Sequence, residues 1–322
     1  MNIAIVGTNF ISDRFAEAAQ LTEGVTIGAV YSRGLDTGCA FARRHGIEKV
    51  YTSYSEMCND SALDAVYIAS PTMCHSEHAA LALRAGLAVL CEKMICATYR
   101  DFLFLDEVRR NTGGIIIEAM RCDFDRRLGF IKENLPRLGK IKHARLEYRQ
   151  YSSRYDSFLS GVVLNAFDPK MKNSALADIG IYPLHYCVSL FGEPCSVSAS
   201  GEFLSNGFLG SGEIRLDYGE FSVDIVYSKT VEGENVSRIE GEHGTACFDK
   251  INEPTYAVIY IDGSEIPFAT ENGTVTNNMA DEISAFRDIV SGARNDAERL
   301  WHDTAITMKL VGYIYGQLNV DF

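Results

Sequence analysis

Three short segments of this chain carry side chains whose types and spacing could do chemistry. The first reads Asp178-Ile179-Gly180-Ile181-Tyr182-Pro183-Leu184-His185. On a helix, Asp178 and Tyr182 stand at i and i+4 and share a face, and His185 at i+7 from Asp178 joins them. A carboxylate, a phenol and an imidazole on one face are the parts of an acid–base site acting on a hydroxyl. His185 competes with Tyr182 for the proton-exchanging role, because imidazole titrates nearer neutrality. The second segment is Glu92-Lys93-Met94, which closes an apolar run over residues 87–91. Lys93 is placed to reach a substrate hydroxyl or a nicotinamide. An ammonium near a phenol favours the phenolate. Lys93 and Tyr182 therefore read as a pair that exchanges a proton with a carbinol while hydride moves to a nicotinamide.

The third segment, Gly7-Thr8-Asn9-Phe10-Ile11-Ser12, lies between an apolar run and a helical one. That is where a dinucleotide's pyrophosphate sits on a helix N-terminus. Only the first glycine of the G-x-G-x-x-G pattern remains. Asn9 is expected to replace the second by adopting a positive φ, which asparagine tolerates better than most residues. Ser12 supplies the small residue for close helix–strand packing. The next apolar run ends at Tyr31-Ser32-Arg33, with no carboxylate before Asp36. A carboxylate there would accept from ribose hydroxyls and repel a 2′-phosphate, whereas Ser32 and Arg33 can donate to one. NADP(H) is the expected cofactor, with NAD(H) possible. Ligands of open parallel sheets bind beyond the carboxyl ends of the strands. Ser70, Pro71, Thr72 and His75 follow one such run, and Glu92 and Lys93 follow another. All six join the loop residues as expected cofactor contacts. His75 and His78 have a spacing that could hold a metal, but no acid or cysteine cluster accompanies them, and no metal site is expected. Tyr148, Tyr151 and Tyr155, with Arg149 and Arg154, read equally well as a substrate cleft or a solvated sheet end.

The elements that must position these residues are of two textures. Apolar runs over residues 3–6, 25–31, 65–69, 87–91 and 115–117 alternate with helical periods. That alternation predicts a doubly wound parallel sheet. Beyond Met120 come a short helix over 130–135, a long strand over 141–151 and a helix over 176–191. Successive strands follow from 196 to 268, punctuated by turns such as Ser205-Asn206-Gly207, and two helices over 279–290 and 297–315 close the chain. The expected domains are 1–120 and 121–322, and the expected class is α/β.

Composition bounds what such a protein does. The chain has 322 residues with 30 Lys+Arg against 43 Asp+Glu, a net charge of −13. That field repels phosphate backbones and anionic lipid, so neither nucleic acid nor a membrane is an expected partner. Nine cysteines, odd in number and without a CxxC pair, fit free thiols in a reducing cytoplasm. No leader is expected before the first apolar strand. No apolar run approaches the ~18 residues of a membrane span.

In order and spacing, the blocks AIVGTNFIS, VYSR, AVYIASPTMCHSEHAALALRAGLAVLCEKM, EAM and ADIGIYPLHY resemble the glucose–fructose oxidoreductase/inositol dehydrogenase (Gfo/Idh/MocA) family along essentially the whole chain. The DIGIY block is most similar to the branch of dihydrodiol and xylose dehydrogenases, in which tyrosine replaces the histidine of inositol dehydrogenases. The resemblance implies an N-terminal Rossmann domain and a C-terminal α/β domain with a large open, mostly antiparallel sheet. It implies NAD(P)-dependent oxidation or reduction of a sugar, polyol or vicinal diol. Lys93 matches the lysine of the family's EKP motif, which contacts the reacting hydroxyl. Asp178 matches the acid that places substrate and lysine, and Tyr182 the acid–base position. From the helix-face reading above, His185 is also an expected substrate contact. The resemblance also implies a homodimer, or a tetramer, through the C-terminal sheet. Three departures stand out: Met94 for the motif's proline, Asn173-Ser174 for a Gly-Gly pair, and the two lost loop glycines. They motivate the alternative of a catalytically impaired NAD(P)-binding sensor or regulator of the same fold.

Overall fold

The computed structural model describes residues 1–269 and 277–322. The chain divides into two compact units, Met1–Ala119 with Met279–His302, and Met120–Asn278 with Asp303–Phe322.

The first unit is built on a parallel sheet of six strands: β1 (Asn2–Val6), β2 (Thr26–Tyr31), β3 (Lys49–Tyr51), β4 (Ala65–Ile68), β5 (Ala88–Glu92) and β6 (Ile116–Ala119). Their order is β3-β2-β1-β4-β5-β6. It reverses between β1 and β4, which is where α/β folds of this kind bind ligands. β4 and β5 are buried along their whole length, which explains why they read as unbroken apolar runs. Helices α1 (Phe10–Gln20), α2 (Leu35–His45), α3 (Tyr54–Cys58), α4 (His75–Arg84) and α5 (Tyr99–Thr112) make the connections. α2 and α5 end on Gly46 and Gly113 in the left-handed conformation, the usual glycine stop.

Two closing helices, α9 (Asn278–Val290) and α10 (Ala297–Leu318), form where periodicity places them. The division of the chain differs from the expected 121–322, because residues 279–302 group with the first unit. The cause is local packing on α5. Trp301 stacks on Phe102 at 5.1 Å and donates its indole N–H to Asp106 at 2.8 Å. Arg109 pairs with Glu298 at 2.7 Å.

The second unit carries eight strands: β7 (Ile141–Arg149), β8 (Ser196–Phe203), β9 (Leu209–Asp217), β10 (Ser222–Ser228), β11 (Val236–Gly241), β12 (Gly244–Asp249), β13 (Ala257–Ile261) and β14 (Ser264–Pro267). Their order is β14-β13-β12-β11-β7-β10-β9-β8. Two antiparallel meanders flank β7, which pairs in parallel with β10 and antiparallel with β11. Ala144, Leu146 and Tyr148 on β7 align with Val223, Ile225 and Tyr227 on β10 and are all buried. These apolar positions alternate along the strands as in a sheet with one covered face, and Glu147 and Ser228 are buried beside them. Helices α6 (Arg126–Asn134), α7 (Tyr155–Leu159) and α8 (Ile181–Phe191) complete this unit together with the end of α10.

The predicted helix over 176–191 is two elements. Leu176–Gly180 is a π-helical turn, and α8 follows it. Gly180 lies against the Tyr227 ring so closely that a Cβ there would stand 2.8 Å from Tyr227 Cγ. Ser174, one of the two residues in place of the Gly-Gly pair, accepts from the Ala177 N–H at 3.0 Å and bonds the Tyr315 hydroxyl at 2.8 Å. Its hydroxyl thus starts the turn that carries Asp178. Among the described residues no helix is long and apolar enough to cross a membrane.

Candidate active site

In the first unit the β1–α1 turn is shaped by Gly7. Its φ is +109°, and a Cβ would stand 2.8 Å from the Ala69 carbonyl oxygen. Only glycine satisfies both conditions. Asn9 does not take the positive φ expected of it. It is extended, with φ −84° and ψ 179°, and caps α1. Its Oδ1 accepts from the N–H groups of Ile11 (3.0 Å) and Ser12 (3.2 Å), and its Nδ2 donates to Ala69 O at 2.8 Å. Asparagine is among the best N-caps, so it replaces the second glycine by folding its side chain down onto the helix start. Thr8 is half-buried, Phe10 and Ile11 open the helix, and Ser12 is buried as helix–strand packing requires.

At the end of β2, Ser32 is buried and Gly38 of α2 packs over it. Arg33 is exposed, and the first carboxylate after it, Asp36, sits in the first turn of α2. Arg33 rather than Ser32 is therefore the accessible donor at this strand end. A Cβ-free turn against a neighbouring strand, a helix N-terminus and an exposed guanidinium at the next strand end together fit a phosphate-bearing dinucleotide. Gly7, Thr8, Phe10, Ile11 and Arg33 are the residues that would hold it.

After β4, Ser70 Oγ bonds His78 Nδ1 at 2.9 Å. Burial lowers the His78 pKa to about 4, helped by His75 and Arg33. Pro71 is exposed and Thr72 begins a single turn, Thr72–Cys74. Two expected cofactor contacts lie inside instead. His75 is buried, with Nδ1 at 2.9 Å from Met94 O and Nε2 at 2.8 Å from Ser70 O, and burial pushes its pKa down. It ties the two loops together. Glu92 is buried and accepts from the Tyr67 hydroxyl at 2.6 Å, while the Tyr67 ring stacks on Phe15. Both side chains, expected as cofactor contacts, are thus buried and engaged with Met94, Ser70 and Tyr67. Lys93 is half-buried, and its peptide bond to Met94 is cis. The backbone after it is held by His75 at Met94 O and by Glu118 Oε1, which accepts from Ile95 N–H at 2.8 Å. Glu118 of the EAM block thus has a positioning role that sequence spacing does not reveal. Cys91 and Cys96, read as packing residues, are buried, and burial raises both thiol pKa values.

In the second unit Tyr182 is buried, and its hydroxyl oxygen accepts from Arg121 Nη2 at 3.3 Å. The Tyr148 ring lies 6.0 Å away, tilted by 60°. Asp178 keeps 39% of its side chain exposed and is paired with Lys229 at 2.7 Å. His185, expected to face substrate with them, is fully buried. Its Nε2 bonds Asp123 at 2.8 Å and its Nδ1 bonds Thr307 at 3.1 Å. The helix turns this ring into the core of the unit, where both ring nitrogens have protein partners. Of the tyrosines at the end of β7 only Tyr148 reaches Tyr182. Tyr151 is exposed and bonds Asp156, Tyr155 stacks on Phe158 and Phe167, and Arg149 pairs with Glu147. Arg121 and Lys229 belong to no motif. Each meets its partner across a long sequence separation, 61 residues for Arg121, and tertiary structure alone joins them. What these groups can do is bind hydroxyls, through a partly exposed carboxylate at Asp178 and a phenol at Tyr182 that a guanidinium orients.

Comparison with known proteins covers both units. Residues 1–119 match the profile of the oxidoreductase family with an NAD-binding Rossmann fold, and residues 136–247 match the GFO/IDH/MocA C-terminal domain. The chain is 38% identical over 264 residues to scyllo-inositol 2-dehydrogenase (NADP(+)) IolU of Bacillus subtilis, covering 82% of this chain and 80% of that protein. It is 33% identical over 322 residues to the uncharacterized oxidoreductase YgjR of Escherichia coli, covering 100% and 98%. The crystal structure of KijD10, a 3-ketoreductase from Actinomadura kijaniata with NADP and TDP-benzene, superposes with a TM-score of 0.83. That match covers 99% of this chain and 98% of the other at 19% identity, and carries the fold alone.

Proposed function

Starting from a chain that belongs to the Gfo/Idh/MocA family of NAD(P)-dependent oxidoreductases, we propose that this enzyme prefers NADP(H) and acts on the carbinol of a neutral polyhydroxylated substrate, a sugar, polyol or vicinal diol. The observation that carries the reading is the pair of groups on the turn and helix over 176–191: a partly exposed Asp178 and a Tyr182 whose oxygen receives the Arg121 guanidinium. When bound, the nicotinamide supplies or accepts the hydride. Tyr182 exchanges the hydroxyl proton at its Oη, and Arg121 orients that oxygen and places a positive charge beside it. Asp178 accepts hydrogen bonds from substrate hydroxyls. Lys93 orients the reacting oxygen, a role that rests on the family motif. The preference for NADP(H) rests on the exposed Arg33 at a strand end without a carboxylate. The NADP(+) in the name of IolU points the same way. A homodimer or tetramer through the eight-stranded sheet belongs to the same proposal.

The test is a screen of NADP+ and NAD+ against scyllo-inositol, xylose and a cyclic trans-diol. Lys93→Ala and Tyr182→Phe should each lower kcat by about 100-fold or more, with NADPH still bound in a fluorescence titration. Arg33→Ala should weaken NADPH by about tenfold and leave NADH unchanged. Near-wild-type turnover in both catalytic-site variants would refute the assignment. Equal loss of NADPH and NADH affinity in Arg33→Ala would refute the cofactor preference.

A further inference from the structure

Lys229 is a buried cation that no motif and no part of the reading above employs. It follows β10 directly and is 3% exposed. Its main chain is pinned on both sides: the N–H donates to Gly210 O at 2.9 Å and the carbonyl accepts from Ser152 N–H at 3.0 Å. Its Nζ donates to Ala166 O at 2.9 Å and lies at 2.7 Å from Asp178 Oδ2. The same ammonium stands 4.8 Å from the Phe167 ring centroid and 5.4 Å from that of Phe208.

Taking an ammonium out of water is costly unless its protons and charge find partners. A methionine would fill this space without that cost. A carbonyl and two aromatic faces offset part of it, and the Asp178 carboxylate supplies the opposite charge. The pair is asymmetric. The Lys229 side chain is 4% exposed and enclosed by the backbone and two rings, whereas that of Asp178 is 39% exposed. The fixed member is the lysine, so the lysine sets where the carboxylate stands.

We propose that Lys229 is a positioning residue for the reaction, anchoring one oxygen of Asp178 so that the carboxylate meets substrate hydroxyls in a single orientation. It acts through Asp178 and does not itself touch substrate. The proposal rests on the role given to Asp178 above.

The test is a double-mutant cycle on the full-length enzyme with scyllo-inositol and NADP+, and with xylose in parallel. Lys229→Met should lower kcat/KM by roughly 10- to 100-fold, since a small displacement of a positioning group is enough for such a loss. Its NADPH affinity should stay within about twofold. Asp178→Asn combined with Lys229→Met should be no worse than Asp178→Asn alone, because two residues that act as one unit are not additive. Propylammonium added to Lys229→Ala should restore part of the lost activity, and should fail to do so once Asp178 is also Asn. If Lys229→Met folds poorly, the amine rescue of Lys229→Ala decides the matter. Wild-type activity in a folded Lys229→Met, full additivity with Asp178→Asn, or absence of amine rescue overturns this proposal alone. A wild-type enzyme silent on every polyol, or an unimpaired Asp178→Asn, overturns the functional reading and this proposal with it.

Discussion

The seven histidines show how little a residue type says until its neighbours are known. His75 and His185, both singled out as contacts for ligands, have their ring nitrogens on Met94 and Ser70 carbonyls and on Asp123 and Thr307. An imidazole serves as readily as a bridge between loops as it does as a proton shuttle. His78, like His75, is shifted toward the neutral form by burial. Burial holds its pKa near about 4 against an ordinary 6.5. Between those values the unfolded chain binds more protons than the folded one, so stability rises with pH across that window. The contribution is complete above about 6.5 and is lost as pH falls toward about 4. His78→Gln should therefore lose less stability than the wild type between pH 7 and pH 4.5, measured by urea denaturation at each pH. Identical losses in the two proteins would show that His78 is not held neutral by its surroundings.

At the scale of elements the decisive piece is the turn Leu176–Gly180. A π-turn inserted before a helix shifts the register of what precedes it, and such turns recur at functional sites. Gly180 permits it by leaving space for the Tyr227 ring. Ser174 starts it, which explains how the chain manages without a Gly-Gly pair there. Gly180→Ala forces a methyl group to within 2.8 Å of that ring. Overpacking of this kind costs about 1–3 kcal/mol, and relief would come by moving the turn that carries Asp178. The variant should be less stable by that amount in denaturant melts and should show a lower kcat/KM. A fully stable and fully active Gly180→Ala would mean that the turn adapts without disturbing Asp178. The β1–α1 turn teaches the same lesson. Loss of a glycine looks like damage to a phosphate loop, yet Asn9 supplies a cap and a tie to Ala69 that a glycine could not.

For the whole chain, the two units are not two consecutive stretches of sequence. Residues 279–302 return to the first unit, with Trp301 as the anchor at 4% exposure. Removing a buried tryptophan costs about 3–5 kcal/mol. Trp301→Ala should thus accelerate hydrogen exchange of the α5 amides, while amides of β7 and β10 keep their wild-type protection. Equal acceleration in α5 and in β7 and β10 would show that the effect of this contact is not confined to the first unit. The second sheet likewise mixes segments distant in sequence, with β7 between two meanders and parallel to β10.

Legible in the sequence were the alternation that makes a doubly wound sheet, the glycine at the first turn, and the order of the blocks that carry the family resemblance. The first two are local patterns, written in periodicity or in a single turn, and the third is an order of motifs along the chain. The folded chain was needed to show that Arg121 meets Tyr182, that Lys229 pairs with Asp178, that Glu118 and His75 fix the backbone after Lys93, and that His185 and Glu92 face inward. These are pairings across long sequence separations, and a side chain's partner there depends on which strand ends the fold brings together. Where a helix changes its winding, as over Leu176–Gly180, spacing along the sequence no longer fixes a shared face by itself, because that inference holds only while the helix stays regular.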